Sequence, residues 1–254
     1  MVDREIFHKA GKAGLLCLWG EPRFGAAGIR DLRFDQIIIE ENIRHGDAGF
    51  YIHLHSNHVA PYVDSLGSLT LRDRLMPAIV SGHAILAVAM TEPGGGSDLR
   101  AIQTKALRDG SGWRLSGTKT YISNGILSDA IVVAARCKEL AGEPIGLFLV
   151  ERSMPGLTRG QPLKKMGLAS QDTVEIMLDN VHVPTDNLLG DPAVGFGNLM
   201  HFLATELIIA SIASVAAAQT AFDLTLDYAQ MRCAFGQPIG QFQHNRFRLA
   251  ALRA

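Results

Sequence analysis

The stretch AMTEPGGGSDL, residues 89–99, places three consecutive glycines between residues that carry hydroxyl and carboxyl groups. Glycines let a backbone approach a ligand closely, and successive N–H groups in such a loop form a concavity that suits a phosphate or the edge of a heteroaromatic ring. Thr91 and Ser97 add hydroxyls on either side. The loop is neither a P-loop nor a Rossmann turn, since neither GK[ST] nor a helix follows it. The alternative is a tight strand connection in which glycine supplies positive φ angles.

Two further segments carry candidate side chains. TKTYISNG, residues 118–125, presents Tyr121 and Ser123, although its alternation alone is typical of any half-buried strand. Glu206 stands among apolar residues in LMHFLATELIIAS with no basic residue within one turn. Burial raises the proton affinity of a carboxylate and suits it to act as a base near neutral pH. The alternative is a glutamate partly exposed on a helix surface.

The remaining reactive residue types favour structural roles. His53, His55 and His58 have spacings of two and three, which do not place all three on one helical face, and no carboxylate joins them. We therefore predict core or surface histidines and no metal site. Cys137 has no nearby histidine to activate it as a nucleophile, and the cysteines, odd in number and widely spaced, are predicted to be reduced thiols.

Composition limits the function classes. The chain has 254 residues, 47% of them hydrophobic, and can bury a sizeable core as one large domain or as two or three small ones. A net charge of -1 offers no basic surface for nucleic acid. Acidic residues near the N-terminus argue against a transit peptide, and no signal-peptide core is present. The longest apolar stretch, residues 207–222, is interrupted by Gln219 and predicts a buried helix rather than a membrane span.

Periodicity predicts an α+β chain in three segments. Helical spacing runs from Asp31 to about Val80, short β-rich runs from Ala84 to about Asn187, and a long helix from Asn198 to Phe235, before a last helix over residues 242–254. We predict an N-terminal helical domain over residues 1–82, a middle antiparallel barrel-like or sandwich-like domain over 83–190, and a C-terminal helical domain over 191–254.

Segments throughout the chain resemble those of the acyl-CoA dehydrogenase family of flavoenzymes, in that family's order. The sequences of the long-chain and isovaleryl-type branches resemble them most. The matching segments are LLCLWGEPRFGAAG, LHSNHVAPYVDSLGS, AMTEPGGGSDL, LSGTKTYISNG, LVERSMPGLTRG, KKMGLASQDTVEIMLDNVHVPTDNLLG and RCAFGQPIGQFQ. The resemblance implies FAD as cofactor and a C-terminal four-helix bundle, of which this chain carries about two helices. The family's first N-terminal helix and last C-terminal part are expected to be missing.

The resemblance assigns roles to the glycine loop and to the hydroxyl-bearing strand. It implies that Met90 and Thr91 lie at the pyrimidine end of the flavin. It places Ser97 at the FAD pyrophosphate or at the thioester arm of the substrate, and Tyr121 against the flavin ring. Ser123 is expected to donate a hydrogen bond near flavin N5. The family often has Trp and Thr where this chain has Tyr121 and Ser123, which preserve the aromatic face and the hydroxyl.

The same resemblance names Glu206 as the base that removes the α-proton of a thioester. The long-chain and isovaleryl-type branches usually carry Arg directly after the base, whereas this chain has Leu207, which puts the usual CoA contact in question. Residues alone allow Arg232, Phe235 and Gln243 simply to end one helix and begin the next. The resemblance instead implies that they reach the partner's FAD across a dimer interface.

The function implied by the resemblance is dehydrogenation of an acyl-CoA to a trans-2-enoyl-CoA, with hydride transfer to FAD and electrons passing to an electron-transfer flavoprotein. A homodimer or homotetramer is expected, in the cytoplasm or, in a eukaryote, the mitochondrial matrix. Two alternatives stay open. One is an inactive homologue that serves as a binding or assembly protein, and the other is an oxygen-using relative of the acyl-CoA oxidase type.

Overall fold

The computed structural model describes residues 1–46 and 49–253. Its N-terminal part is helical, and Asp3, Asp31 and Ser68 cap helices by accepting hydrogen bonds from main-chain N–H groups of the first turn. A π-helical segment, Leu54–Val59, leads directly into the third helix. The helices are α1 (Arg4–Lys12), α2 (Leu32–Arg44), α3 (Ala60–Leu66) and α4 (Leu69–Val80). The helical spacing predicted from residue 31 onward is confirmed, and α1 lies before that range.

The middle part is one curled sheet. Its strands are β1 (Leu86–Ala89), β2 (Lys105–Asp109), β3 (Gly112–Ser123), β4 (Ala130–Cys137), β5 (Ile145–Glu151), β6 (Leu157–Arg159) and β7 (Thr173–Pro184). One edge of β4 pairs in parallel with β1 and then with β2, and the other edge pairs antiparallel with β5. β3 pairs antiparallel with both β2 and β7, and β7 with β6. Most pairings are antiparallel, as predicted, but the two made by β1 and β2 with β4 are parallel.

Strand β4 is buried on both faces, which explains its nearly unbroken apolar sequence AIVVAARC. Val132 and Ala134 belong to the core shared with the N-terminal helices. Ile131 and Val133 belong to the core enclosed by the curl of the sheet, where Trp113 packs edge-on against Phe148. The sheet is therefore fixed against the helices on one side and around its own interior on the other.

Strand β3 carries an irregularity that matters for the site. Its register with β7 shifts between the pairs Lys119/Ile176 and Ile122/Val174, so Thr120 and Tyr121 form a bulge. Tyr121 adopts a left-handed backbone with φ 58°. The bulge reverses the inward and outward alternation, because Lys119 and Ile122 are both buried while the Tyr121 side chain is exposed.

The C-terminal part consists of α5 (Gly195–Met231), a short hairpin of β8 (Cys233–Ala234) with β9 (Gln237–Pro238), and α6 (Gln243–Arg253). The prediction of a buried long helix is wrong for the described chain. In α5 the structure buries only Gly195, Leu199, Ile209, Ala216 and Ala229. The physical reason is the shortage of neighbours. Helix α5 contacts α2, the π-helical segment, β5 and the α6 region. Its other sides carry exposed apolar residues that include Leu207, Val215, Leu224 and Met231.

Within the described residues, one helical stretch, Pro192–Met231, is long and apolar enough to cross a membrane. The core helices of soluble proteins pass the same test of length and composition, so a single such helix is weak evidence. The absence of a membrane span therefore stays a prediction. The fold class is confirmed, with N-terminal helices, a curled sheet and a long C-terminal helix. The three domain boundaries stay a prediction.

Candidate functional site

A cavity of about 380 Å³ lies where the glycine loop, the end of β3 and the first third of α5 meet. Its volume is within the range of small-molecule sites. The lining includes Met90, Thr91, Ser97, Tyr121, Ser123 and Glu206, together with apolar residues and Gly96. The cavity thus brings together six residues that the sequence analysis selected from three separate segments. A larger groove of about 520 Å³ lies between α5 and α6, and Arg246 is the charged residue among the described residues that line it, so this groove offers fewer groups for chemistry.

The glycine loop is held at its base and open at its tip. Glu92 and Gly95 exchange both main-chain hydrogen bonds, at 3.0 and 3.1 Å. Among the described residues the main-chain N–H groups of Gly94, Gly96 and Ser97 have no main-chain acceptor. None of the three glycines has a positive φ, so the alternative explanation for them, a turn that needs left-handed backbone, is wrong.

Space around the glycines supports a ligand cradle. A Cβ added at Gly94 would meet no atom within 4 Å, and one added at Gly96 would meet only the Thr91 methyl, at an ordinary 3.7 Å. The protein's own packing therefore does not demand glycine at these positions. Residues without side chains, next to unused N–H donors, suit a ligand that lies directly against the backbone.

A buried ion pair fastens the two walls of the cavity. Lys119 Nζ, on a side chain with 0% exposure, donates to Glu92 Oε1 at 2.8 Å and to the Met90 carbonyl oxygen at 3.1 Å. The Thr120 N–H donates to the Thr91 carbonyl oxygen at 2.9 Å. These contacts tie β3, just before Tyr121, to the segment that leads into the glycine loop.

The charges of this pair are well supported. Glu92 accepts bonds from Gln103 N, Thr104 N and the Thr104 hydroxyl. Burial raises the pKa of Glu92, but these donors and Lys119 outweigh it and leave the pKa lowered. Burial lowers the pKa of Lys119 to about 8, even with Glu92 beside it. Both groups are therefore charged at pH 7.

The sequence analysis missed this ion pair, although the sequence carries a signal for it. Lys119 has the same parity along β3 as Trp113 and Leu115, whose side chains are fully buried. A lysine in phase with two core residues of one strand requires a buried partner.

Glu206 lies on the side of α5 that faces the cavity, and its Oε1 atom is buried without a hydrogen-bond partner in the described chain. Burial raises the pKa of Glu206 to about 7. Among the described residues, no other charged side chain lines the cavity. The neighbours Leu207 and Ile208 point away and are exposed. A carboxylate with this pKa is half ionised near neutral pH and can take up a proton from a bound molecule.

Arg232, Phe235 and Gln243 lie far from this cavity. Arg232 follows the C-terminal end of α5, and its 26-residue separation from Glu206 at about 1.5 Å per residue corresponds to about 39 Å. Phe235 is 96% exposed in the hairpin, and Gln243 begins α6. These residues cannot contact a small ligand in the cavity of their own chain, so their predicted role at a partner's cofactor stays a prediction.

His55 and Cys137, which the sequence analysis did not assign to catalysis, are buried in the core. His55 Nε2 contacts the Ile79 carbonyl oxygen at 3.0 Å, and the Leu86 N–H donates to His55 Nδ1 at 3.2 Å. Cys137 is buried, and burial raises the pKa of its thiol to about 11. In the part of the chain that the structure describes, no group of three or more His, Cys, Asp or Glu side chains forms a metal site.

Comparison with known proteins agrees with this architecture. Family models of the acyl-CoA dehydrogenase N-terminal, middle and C-terminal domains match residues 1–83, 87–181 and 193–254. A crystal structure of an acyl-CoA dehydrogenase from Geobacillus kaustophilus superposes with a TM-score of 0.95 at 40% identity and covers 100% of this chain and 67% of that one. The chain belongs to the acyl-CoA dehydrogenase family, as its motifs indicated.

Individual relatives show how similar this chain is to particular family members and how much of their length it covers. Long-chain specific acyl-CoA dehydrogenase of Sus scrofa is 40% identical over 99% of this chain, which spans 59% of that protein. Isovaleryl-CoA dehydrogenase of Pongo abelii is 32% identical over 94% of this chain, which spans 57% of it. A glutaryl-CoA dehydrogenase of Mycobacterium smegmatis in complex with FADH2 superposes with a TM-score of 0.90 at 28% identity, covering 98% of this chain and 63% of that one. This chain therefore spans little more than half the length of its curated relatives.

Proposed function

We propose that this chain is an FAD-dependent acyl-CoA dehydrogenase that converts an acyl-CoA thioester to the trans-2-enoyl-CoA. The observation that carries the proposal is the single cavity where Glu206, with its raised pKa, faces Tyr121, Ser123 and the open glycine loop. A base, an aromatic wall and unused hydrogen-bond donors are the parts that α,β-dehydrogenation beside a flavin requires.

The residues present fit the cofactor. The side-chain-free loop with its unused N–H groups, Thr91 and Ser97 would hold polar edges or phosphates of FAD, and Ser97 also suits the thioester arm. Tyr121, 70% exposed at the cavity, would pack against the ring, with Met90 at the pyrimidine end. FAD, when bound, supplies the oxidant that takes up hydride from the β-carbon of the substrate.

The chain's own chemistry is proton transfer and positioning. The Glu206 carboxylate accepts the α-proton of the thioester while the β-hydride leaves, so that the electron pair of the α C–H bond forms the double bond. The apolar lining, Leu54, Val88, Leu99 and Leu203, excludes water and sustains the proton affinity of Glu206. The Ser123 hydroxyl, which lines the same cavity, would donate a hydrogen bond to the edge of bound FAD.

The test is the visible spectrum of the FAD-loaded chain before and after anaerobic addition of a panel of acyl-CoAs. Loss of the oxidised flavin band with any of them supports the proposal. No FAD binding at tens of micromolar would favour the alternative of an inactive homologue. Rapid reoxidation of the reduced protein by oxygen would instead indicate an oxidase-type relative, and slow reoxidation fits electron-transfer flavoprotein as the acceptor.

Partners follow from the same proposal. The exposed apolar residues of α5 and α6 suit a homodimer or homotetramer, in which Arg232, Phe235 and Gln243 reach the FAD of another subunit. Leu207 stands where a CoA-contacting Arg was expected, so a panel should include thioesters on an acyl carrier protein. We place the protein in the cytoplasm, or in the mitochondrial matrix in a eukaryote.

Gly96→Ala is expected to separate cofactor binding from stability. The added methyl has an ordinary contact within the protein, so the urea midpoint of the apo chain should not change. It projects into the cavity where a cofactor would lie against the backbone, so we expect about tenfold weaker FAD binding, or about 1.4 kcal/mol. Flavin fluorescence titration of apo protein measures this.

The matched control is Gly197→Ala, on the exposed start of α5, where an added Cβ meets nothing within 4 Å. It should bind FAD like the wild type. Equal FAD affinity in Gly96→Ala, Gly197→Ala and wild type would remove the glycine loop from the cofactor site.

The rate of flavin reduction is expected to depend on the protonation of Glu206. Burial raises the pKa of this carboxyl to about 7, and only the ionised form accepts the α-proton. The first-order rate of anaerobic reduction at saturating acyl-CoA should therefore rise about tenfold per pH unit below pH 7 and level off above it. A rate that is flat between pH 5.5 and 8.5, or that falls with rising pH, would contradict this role.

A further inference from the structure

A cluster of aromatic polar side chains lies beneath the first third of α5. It consists of Tyr51, His53, His58 and Tyr62, which we call the histidine–tyrosine cluster. Ring centroids are 3.8 Å apart for Tyr51 and His53, 5.7 Å for His53 and His58, and 5.9 Å for Tyr51 and His58. His53 is 4% exposed, His58 5% and Tyr62 0%. The sequence analysis predicted His53 and His58 to be core or surface histidines and assigned them no part in a ligand site.

The polar atoms of this cluster lack partners within the protein. Of nine buried side-chain atoms without a hydrogen bond among the described residues, five belong to this cluster and to Glu206: both ring nitrogens of His53, Nε2 of His58, the Tyr62 hydroxyl and Glu206 Oε1. His55, on the same segment, bonds through both nitrogens and shows what a structural histidine looks like here. The unpaired atoms are therefore concentrated beside the proposed base.

The cluster lies behind the wall of the cavity: its four rings are not among the lining residues, but residues next to them in the chain are. Leu54, next to His53 in the π-helical segment, lines the cavity together with Leu203 and Glu206 of α5. The Tyr62 ring packs on Phe202, the neighbour of Leu203, at a centroid distance of 4.3 Å. Besides burial, the charge of Glu206 raises the pKa values of both Tyr51 and Tyr62, which places the carboxylate close to these rings.

The charge state of the cluster defines what it can bind. Burial lowers the pKa of His53 to about 3 and that of His58 to about 4, so both rings are neutral at pH 7. A neutral imidazole offers one donor and one acceptor, and a tyrosine hydroxyl offers both. An anionic group would be repelled by Glu206, and a hydrocarbon would leave these atoms unsatisfied at a cost. A neutral hydroxyl, which both donates and accepts, fits the set.

We propose that the acyl cavity takes thioesters whose chain carries a hydroxyl group, and that His53 and His58 hydrogen-bond this hydroxyl. The proposal rests on the proposed function, since it names the substrate class of the same site. The reaction itself is unchanged: Glu206 takes the α-proton, and the hydroxyl, at a distance along the chain, selects and orients the substrate.

The test compares the FAD-loaded wild type on matched pairs of acyl-CoAs, straight-chain and terminally hydroxylated, over a series of chain lengths. A hydroxyl that satisfies buried partners should raise kcat/KM about tenfold at the length that reaches the cluster, mainly through KM. A wild type that prefers the unsubstituted thioester at every length overturns the proposal and leaves the dehydrogenase function standing. Calorimetric binding of the same pairs, with or without turnover, is the second measurement.

Variants assign the preference to residues. The double variant His53→Phe/His58→Phe keeps both rings and removes their nitrogens, so it should lose the hydroxyl preference while still reducing its flavin with unsubstituted thioesters. His45→Phe, at an exposed histidine, is the control and should keep it. If no thioester reduces the flavin, the proposed function fails, and calorimetry still decides: tighter binding of the hydroxylated member supports the cluster, and equal binding overturns it. The wild-type comparison stands even if the double variant does not fold.

Discussion

Glu206→Gln is expected to lower the rate of anaerobic flavin reduction by acyl-CoA by about 10²- to 10⁴-fold, with the upper end favoured because a proton next to a thioester is only weakly acidic. The amide retains the shape of the carboxyl group but cannot accept the α-proton. Flavin content should be nearly unchanged, because the amide is close in shape to the carboxyl group and relieves a buried charge. Stopped-flow absorbance of the FAD-loaded protein gives the rate directly.

Stability provides an independent check on the same variant. Burial raises the pKa of Glu206 to about 7 from a value of about 4.3 in an unfolded chain. The folded state therefore holds a proton that the unfolded state has lost, and this residue makes the fold less stable as pH rises between those two values. Glu206→Gln lacks this penalty and should be at least as stable as wild type at pH 8.

The matched control is Glu175→Gln, on an exposed position of β7 in the middle of the chain. It should reduce its flavin at the wild-type rate. If acyl-CoA reduces the flavin of the wild type and of Glu206→Gln at the same rate, Glu206 is eliminated as the base. The reaction would then require a carboxylate from elsewhere in the chain or from a partner subunit.

Lys119→Met is expected to reduce the free energy of unfolding of the apo chain by about 3–5 kcal/mol, because it leaves the Glu92 carboxylate buried without its counter-charge. The bond from Lys119 to the Met90 carbonyl is lost as well, so the wall before the glycine loop loosens and FAD binding weakens. Urea unfolding followed by far-ultraviolet circular dichroism measures the first effect, and flavin titration measures the second.

Lys138→Met supplies the comparison, since Lys138 pairs with Glu143 at the surface of the same sheet, with side chains 30% and 45% exposed. Exposed pairs contribute at most about 1 kcal/mol. Equal losses of unfolding free energy in Lys119→Met and Lys138→Met would show that the buried pair contributes no more to stability than the exposed pair. A large loss of stability in Lys119→Met without any change in the FAD affinity of the folded fraction would limit the pair to a structural role.

The strands were largely predictable because most of them are rich in apolar and β-branched residues between clear turn signals. The sequence of β2, KALRD, carries a weaker strand signal, since it is mainly charged and four of its five positions are not buried. The end of α5 was placed four residues too far along, at Phe235 rather than Met231. The helix ends where Arg232 becomes extended and Phe235 and Gly236 adopt left-handed backbone, which an apolar residue at Phe235 does not signal.

The candidate site was predictable as a set of residues but not as a geometry. The motifs named Thr91, Tyr121 and Glu206, yet their convergence depends on contacts between distant segments that periodicity does not encode. Burial of α5 was overestimated. Its apolar sequence indicates that the helix would be stabilised by packing partners, but it does not show whether the chain supplies them. The ring nitrogens of His53 are buried without hydrogen-bond partners in the described chain, whereas His55 bonds through both of its nitrogens. Sequence spacing alone does not distinguish these two cases, so the difference could not be predicted.

The left-handed backbone of Tyr121 has a consequence for how this protein can change. Such a conformation in a bulky residue costs about 1–3 kcal/mol, and glycine adopts it freely. The substitution that relieves this strain, Tyr121→Gly, also removes the aromatic wall of the cavity. Selection for thermal stability alone would therefore favour loss of this wall of the cavity. An aromatic residue retained at position 121 indicates selection for ligand binding. Glycine at this position would instead indicate selection for the stability of the fold alone.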